Sequence, residues 1–338
     1  MQSAPNISRR MPAIPSIRAS VLTPIVARLD SVNGTGDMLL AAHGILRSQL
    51  GDPYALVPMA RYIALFEQAA VEAGDPFLGA RLGAALRPGD LGPIGMLFSL
   101  SPTIRVAFTR LSRYVSVLQG ATGSGLVDED DRVLWSYRLV DPAMWPRRQD
   151  SEFTLSTSCQ LLRSCFGPSW RPLEIHLEHP APRDPELLRR LFRAPVRFDQ
   201  PSNAIVIAAA DAARVHRTED RDLVAILERH LADLADEADE APGLKEKVQS
   251  LIGIYLGHKP VTIAAVAAEL GLSPRTLQRR LSEAGLSLRD MLREHRRALA
   301  AHHLAAAETP MSKIAESLGY ADSTVFWRAR RAWSRRDG

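Results

Sequence analysis

The sequence predicts two domains of different class: an α+β N-terminal body, helices with a small antiparallel sheet, and an all-α C-terminal domain. Three observations carry this reading. Apolar spacing is helical up to Leu118, then switches to a period of two in short runs between Leu126 and Ile207. The stretch Asp236-Glu-Ala-Asp-Glu-Ala-Pro-Gly243 is acidic, lacks large apolar side chains and ends in a helix-stopping pair, which is linker chemistry. Beyond it every segment has helical spacing, and one pattern occurs twice.

The elements follow in order. Residues 1–35 are expected to be poorly ordered, and 36–235 to form the N-terminal domain. Met38 to Leu50 and Val57 to Ala73 carry apolar residues at three- and four-residue steps, predicting helices. Ser101-Pro-Thr-Ile opens another, with serine as N-cap and proline at the first helical position. Val133, Trp135, Tyr137 and Leu139 alternate with Leu134, Ser136 and Arg138, placing an aromatic face on a strand. Asp128-Glu-Asp-Asp131 reads as the turn that pairs it with a strand near Leu126. Leu173, Ile175 and Leu177 alternate with Glu174, His176 and Glu178 in a further strand. Short strands at 196–198 and 204–207 flank Gln200-Pro-Ser-Asn203. Helices are expected near 150–165 and 185–192, and one long helix from about Asp211 to Leu234. The linker is 236–243 and the C-terminal domain 244–338.

Composition limits the function. Of 338 residues, 46% are hydrophobic and 24% charged, as in a globular protein, which excludes collagen-like, low-complexity and wholly disordered chains. No apolar run approaches the ~20 residues that cross a bilayer, so no membrane partner is expected. Met1 to Ser20 has arginines and prolines but no apolar core, unlike a signal peptide. Two cysteines build neither a disulfide framework nor a four-thiolate zinc site. A cytoplasmic protein without cofactor is the expectation. The net charge of +4 is unevenly spread: Gly243 to Gly338 holds 16 Lys+Arg against 9 Asp+Glu, and the preceding part 26 against 29. A basic C-terminal domain on a mildly acidic body suggests a polyanion partner, although many solvated surfaces are basic too.

The repeat sharpens that suggestion. Ile263, Val266, Ala267, Leu270 and Gly271 recur 48 residues later as Met311, Ile314, Ala315, Leu318 and Gly319. Leu277 and Arg279 recur 49 residues later as Phe326 and Arg328, with one residue inserted in the second turn. Each copy is a short helix, a glycine-containing turn and a second helix. Ala267 and Ala315 are small enough for close helix crossing. Gly271 and Gly319 suit a left-handed turn that side chains resist. Two ordinary helical hairpins would show as much. The distinguishing feature is the face left over on the second helix of the first copy: with Leu277 and Leu281 inward, Arg275, Gln278 and Arg279 share the outward side. Arginine bonds guanine O6/N7 in two-pronged fashion and glutamine does so with adenine N6/N7, each at ~1–3 kcal/mol of discrimination. Such donors at the start of a second helix are what major-groove reading of double-stranded DNA requires.

These residues resemble a known family. Thr262 to about Trp333 is similar to the DNA-binding domain of AraC/XylS transcription regulators. The resemblance is carried by Ala267-Ala-Glu-Leu-Gly-Leu-Ser-Pro-Arg-Thr-Leu-Gln-Arg-Arg-Leu281, Ile314-Ala-Glu-Ser-Leu-Gly-Tyr-Ala-Asp322 and Phe326. It implies two helix-turn-helix units joined by a linker helix and reading adjacent major grooves. Base contacts are implied at Arg275, Gln278 and Arg279, with Thr324, Trp327 and Arg328 as equivalents in the second unit. Ser101 to Tyr114 and Ala194 to Ala204 resemble the arabinose-binding-type sensor domain of a subgroup of these regulators, across roughly Leu39 to Leu227. The resemblance implies a promoter, a small-molecule effector of unknown identity, RNA polymerase and a homodimer as partners, and activation as the effect. Two departures stand out: Arg330 replaces the family's usual phenylalanine under the second unit, and the family usually continues past Trp333 through a turn into a last short helix. The second unit is therefore expected to pack more loosely.

Other constellations carry less. Cys159 and Cys165, about 240° apart on a helix, cannot share a metal and read as buried thiols. His302 and His303 diverge on the joining helix. His176 and His179 have no partner at metal-ligand spacing. Phosphate-loop and nucleophile-elbow motifs are absent from the sequence, which disfavours an enzyme. The arginine pairs at 147–148 and 189–190 read as solvated surface. Two functions stay open: a regulator controlled by an effector in the N-terminal domain, whose pocket residues the sequence does not single out, and a ligand-independent DNA-binding regulator whose N-terminal domain serves dimerisation or partner contact.

Overall fold

The computed structural model describes residues 15–120, 122–139, 144, 146–237, 243–257, 260–305 and 311–334. The expectation of a poorly ordered start is corrected from residue 15 onward. Ile17, Ala19, Leu22, Ile25, Val26 and Leu29 are buried in the main core. β1 (Ser16–Arg18) pairs antiparallel with β2 (Leu56–Pro58), and a 3-10 turn leads into α1 (Thr23–Val32). Pro24 lies in the first turn of α1, where its missing N–H has no helical partner to lose.

A helical layer follows: α2 (Gly36–Ala42), α3 (Arg47–Leu50), α4 (Met59–Glu72), α5 (Leu78–Gly83), α6 (Gly92–Leu100) and α7 (Ile104–Leu118). The cap of α7 is Thr103, whose Oγ1 accepts from the Val106 N–H at 3.1 Å. Ser101, expected as that cap, instead donates its hydroxyl to the Leu97 carbonyl and closes α6. β3 (Thr122–Glu129) and β4 (Arg132–Leu139) form the expected hairpin, with Leu126 opposite Trp135. The turn is tighter than expected, since Asp128 and Glu129 stay in the strand and Asp130 takes positive φ.

Next come α8 (Arg148–Phe166), β5 (Glu174–His176), α9 (Glu186–Phe192), β6 (Val196–Arg197), β7 (Asn203–Ala208), α10 (Ala209–Ala213) and α11 (Arg221–Glu237). The single helix expected from Asp211 to Leu234 is broken between α10 and α11. The five-stranded sheet has the order β3-β4-β7-β5-β6. It departs from a purely antiparallel one, because β5 and β6 run parallel, with α9 as the crossover. α5 packs closely on α8: a Cβ at Gly79 would collide with the Gln149 carbonyl, and one at Gly83 with the Phe153 carbonyl.

β4 has both faces covered, and every residue from Val133 to Leu139 is buried. Val133, Trp135, Tyr137 and Leu139 belong to the main core under α7 and α8. Arg147 corrects the expectation of solvated arginines at 147–148. It is 1% exposed and grips Glu178 through Nε and Nη2 at 2.8 and 2.9 Å, while Nη1 donates to the Leu139 carbonyl. Arg148 pairs with Glu152 at 2.6 Å and lies over Phe77. Arg189 is exposed as expected. Most of the 236–243 linker lies outside the described residues.

The C-terminal part is helical in all described segments: α12 (Leu244–Tyr255), α13 (Ile263–Glu269), α14 (Pro274–Glu283), α15 (Leu288–Ala305), α16 (Met311–Ser317) and α17 (Ser323–Ser334). Its first helix, α12, docks on the outer face of the sheet. Glycines on β3 permit this: a Cβ at Gly123 would lie 3.1 Å from the Ser250 carbonyl oxygen, and one at Gly125 3.3 Å from Ile254. Ile254 and Tyr255 close a separate apolar cluster with Val127, Leu134 and Val206.

Candidate nucleic-acid interface

α13 and α14 form the first helix-turn-helix. Thr262 Oγ1 caps α13 through the Ala265 N–H, and Ser273 Oγ caps α14 through the Thr276 N–H, with Pro274 at the helix start. Gly271 sits between them at φ +64°, the left-handed turn foreseen from sequence. Val266, Ala267, Leu277 and Leu281 bury the contact face together with Val248 and Ile252 of α12. Arg275, Gln278 and Arg279 are all exposed on the other side of α14. Arg279 holds a loose i,i+4 pair with Glu283 at 3.6 Å, both side chains being largely exposed. Such a pair is weak in water and yields readily to a stronger partner.

α16 and α17 form the second. Asp322 Oδ1 accepts from the Val325 N–H at 2.8 Å, starting α17, and Gly319 takes φ +69°. Ile314, Ala315, Leu318 and Phe326 are buried with Leu256, Leu299 and Ala300, and Trp333 packs edge-on against Phe326. Arg330 turns back over the Trp327 ring at 4.8 Å, and Trp333 packs against this core. Thr324, Trp327 and Arg328 are exposed on α17, Trp327 at 42%. The structure thus presents all six sequence-predicted contact residues outward, three from each second helix.

The start of the joining helix α15 is capped by Ser287, whose Oγ accepts from the Asp290 N–H at 3.4 Å. Its Arg296 donates to the Leu318 carbonyl at 2.8 Å and stacks on Tyr320, tying α15 to the end of α16. The side chains of His302 and His303 lie outside the described residues.

What sequence reasoning missed is the connection to the sheet. Arg138, on the outer face of β4, is 2% exposed; its nearest carboxylate oxygen is Glu178 Oε2 at 3.8 Å, and its Nε and Nη1 have no hydrogen-bond partner. A Cβ added at Gly253 of α12 would lie 3.6 Å from its Cδ. His295 of α15 is buried in the same neighbourhood. Burial first, then the Arg138 and Arg147 cations, hold its pKa down to about 3, so it is neutral at physiological pH. Glu178 is held down to about 2 by Arg147 and Arg138 and by hydrogen bonds from Arg147 and Asn203, which together outweigh its burial. The only warning in the sequence was an arginine at an alternating position of a strand otherwise rich in aromatics.

No described group of His, Cys, Asp and Glu could hold a metal ion. Cys159 is buried and its thiol is pushed up to about 12; Cys165 is half-buried. His179 bonds the Pro180 carbonyl and His176 the Glu174 carboxylate. No described helix is long and apolar enough to cross a membrane.

Two linked helix-turn-helix units, each turning polar and basic side chains outward, define a DNA-binding transcription regulator. Residues 35–215 match the family described as the arabinose-binding domain of AraC transcription regulators, and 266–336 match a helix-turn-helix domain. The chain belongs to the AraC family, with an arabinose-binding-type N-terminal domain. It is 26% identical over 281 residues to the HTH-type transcriptional regulator VirS of Mycobacterium tuberculosis, covering 82% of each chain. It is also 26% identical over 311 residues to the ornithine utilization regulator of Pseudomonas aeruginosa, covering 88% of this chain and 90% of that one. Among solved structures, the transcriptional regulator CdpR from Pseudomonas aeruginosa matches with 20% identity, 93% and 95% coverage and a TM-score of 0.45.

Proposed function

We propose that this regulator reads two adjacent major grooves of a promoter, with Arg275, Gln278 and Arg279 as the principal base contacts and Thr324, Trp327 and Arg328 as the second set. The outward presentation of both sets on capped second helices supports this. An effector in the N-terminal domain sets how the units meet DNA. The observation that carries effector control is the docking of α12 on the outer face of β3 and β4, with α15 packed on α12, because a change inside the sheet then reaches the DNA-binding helices directly. The protein acts in the cytoplasm as an activator that engages RNA polymerase, and works as a homodimer without a catalytic role.

The test starts with a metabolite library. A compound that binds only the folded state raises Tm, and the same compound should change affinity for the promoter fragment. If compounds raise Tm without altering promoter affinity or transcription, the N-terminal domain is a dimerisation or partner module instead.

A further inference from the structure

A groove of about 430 Å³ runs along the DNA-binding domain, between one flank of α14, the start of α15 and residues 261–263. That lies within the ~300–1,000 Å³ of ligand pockets and well above the ~150 Å³ that holds one benzene. The cavity in the main core, between α7, β4 and α8 and lined by Tyr137 and Thr157, is far smaller at about 60 Å³. The floor of the groove is apolar: Ile263, Leu281, Leu286, Leu288 and Leu292 border the core of the first helix-turn-helix. All but Leu281 are only partly buried, so an apolar body laid on this floor removes further surface from water.

The rim is polar and carries one sign of charge. Gln278 and Ser282 come from α14 and Arg289 from α15; among the described residues none of these three side chains has a hydrogen bond or ion pair. No acidic side chain lines the groove. The acids nearest in sequence are engaged elsewhere: Glu283 faces Arg279 at 3.6 Å, and Asp290 pairs with Arg293 at 2.7 Å. Arg289 is therefore a cation at the edge of an apolar surface, which complements an apolar molecule with a negative end.

We propose that this groove binds an amphipathic anion, an apolar chain or ring ending in one carboxylate, and that its occupancy competes with DNA. The body lies on the leucine floor and the carboxylate meets Arg289. A bare anion lacks the body, and an apolar amine meets the arginine with like charge. Competition follows from Gln278, which lines the groove and belongs to the base-contacting set, so a molecule seated against it takes that side chain from DNA. This last step rests on the base-reading proposal above; the binding itself does not. The site is separate from the N-terminal domain and acts on DNA binding directly.

The experiment titrates the full-length protein with octanoate, 1-octanol, octylamine and acetate at fixed ionic strength, following Tm and heat of binding. Octanoate should raise Tm with concentration, and octylamine and acetate should not. 1-Octanol should bind about fivefold more weakly than octanoate, for want of the exposed ion pair. Arg289→Gln should lower octanoate to the level of 1-octanol and leave 1-octanol within about twofold. Leu288→Asp puts a carboxylate in the groove at a helix start, where it is tolerated. Ser282→Trp, an independent variant at an exposed position, covers the floor. Either one that folds should lose octanoate binding. Octanoate binding that survives in them, or no response to octanoate, would overturn the site. Octylamine, acetate or 1-octanol binding as tightly as octanoate would overturn the ligand class. On the promoter fragment, saturating octanoate should weaken wild-type binding by at least about fivefold and leave the affinity of Leu288→Asp unchanged. Octanoate binding with no change in promoter affinity would overturn the competition. If Gln278→Ala then also leaves promoter affinity unchanged, base reading at Gln278 falls and the groove stands.

Discussion

Tyr137 and Arg138 are neighbours on β4 and face opposite ways: the phenol bonds Asp150 beside the cavity, and the guanidinium lies beneath the helices of the DNA-binding domain. One peptide unit thus separates the two sides. Arg147 supplies a second link. It immediately precedes α8, which carries Asp150 and Thr157, and it grips the same Glu178 that faces Arg138. A shift of α8 by a bound molecule would therefore be felt at the carboxylate between the two arginines. Packed interiors pass such shifts on rather than absorb them.

Glu178→Gln tests that centre. It leaves Arg147 and Arg138 facing a neutral amide where the Glu178 carboxylate stood, and breaking a buried pair costs roughly 3–5 kcal/mol. The urea midpoint should fall accordingly, and Glu178→Gln combined with Arg147→Met should recover part of the loss. A single-variant loss below about 1 kcal/mol, within the range of an exposed pair, would mean that water reaches this carboxylate.

The pH dependence of stability has opposing parts. Burial pushes Glu152 up to about 7, so the proton held on folding stabilises fully below pH 4.5 and that contribution is lost as pH rises through 7. Asp150, raised to about 6 by burial, acts in the same direction. His179 and His295 are held at about 4 and 3, chiefly by burial, so their contribution is full above pH 6.5 and is lost on acidification. Glu152→Gln removes only the first part. Its stability relative to wild type should increase between pH 5 and 7.5 by on the order of 2 kcal/mol. Urea titrations across that range check this, and a difference independent of pH would show that Glu152 is ionised throughout.

The acidic Pro-Gly stretch between α11 and α12 should be the first site of limited proteolysis. Because Ile254 and Tyr255 pack on the sheet beyond it, the two fragments should stay together on gel filtration until Ile254→Asp breaks the cluster. The released C-terminal fragment should still bind DNA. Fragments that separate at once in the wild type would show that the docking of α12 is weaker than its buried face implies.

Much of this was legible in the sequence because it is local. The glycines at 271 and 319 and the inward leucines of α14 are each set by residues a few positions away. The β3–β4 hairpin was legible for the same reason. What failed was long-range. Arg138 and Arg147 look like surface residues until α12, α15 and Glu178 are brought over them from 30 to 160 residues away. Ser101 and Thr103 were both plausible caps, and only the end of α6 at Leu100 decides between them. At the start of the chain the apolar spacing of Ile17, Leu22, Ile25 and Leu29 is the signal of the buried segment.

The most direct test of the account is a missing-contact footprint and titration of the full-length protein on its promoter, with random DNA as the reference. α15 spans about 27 Å at ~1.5 Å per residue, and successive major grooves lie ~34 Å apart, so both units fit one face if the duplex bends or the second unit swings. The account predicts protection over about two helical turns, with the stronger base dependence in the half read by α14. Arg279→Ala should weaken promoter binding by ~1–3 kcal/mol and relax preference at one base pair, leaving random DNA nearly unchanged. Equal loss on both DNAs would place Arg279 on phosphate, and a one-turn footprint unaffected by Trp327→Ala and Arg328→Ala would contradict base reading by the second unit.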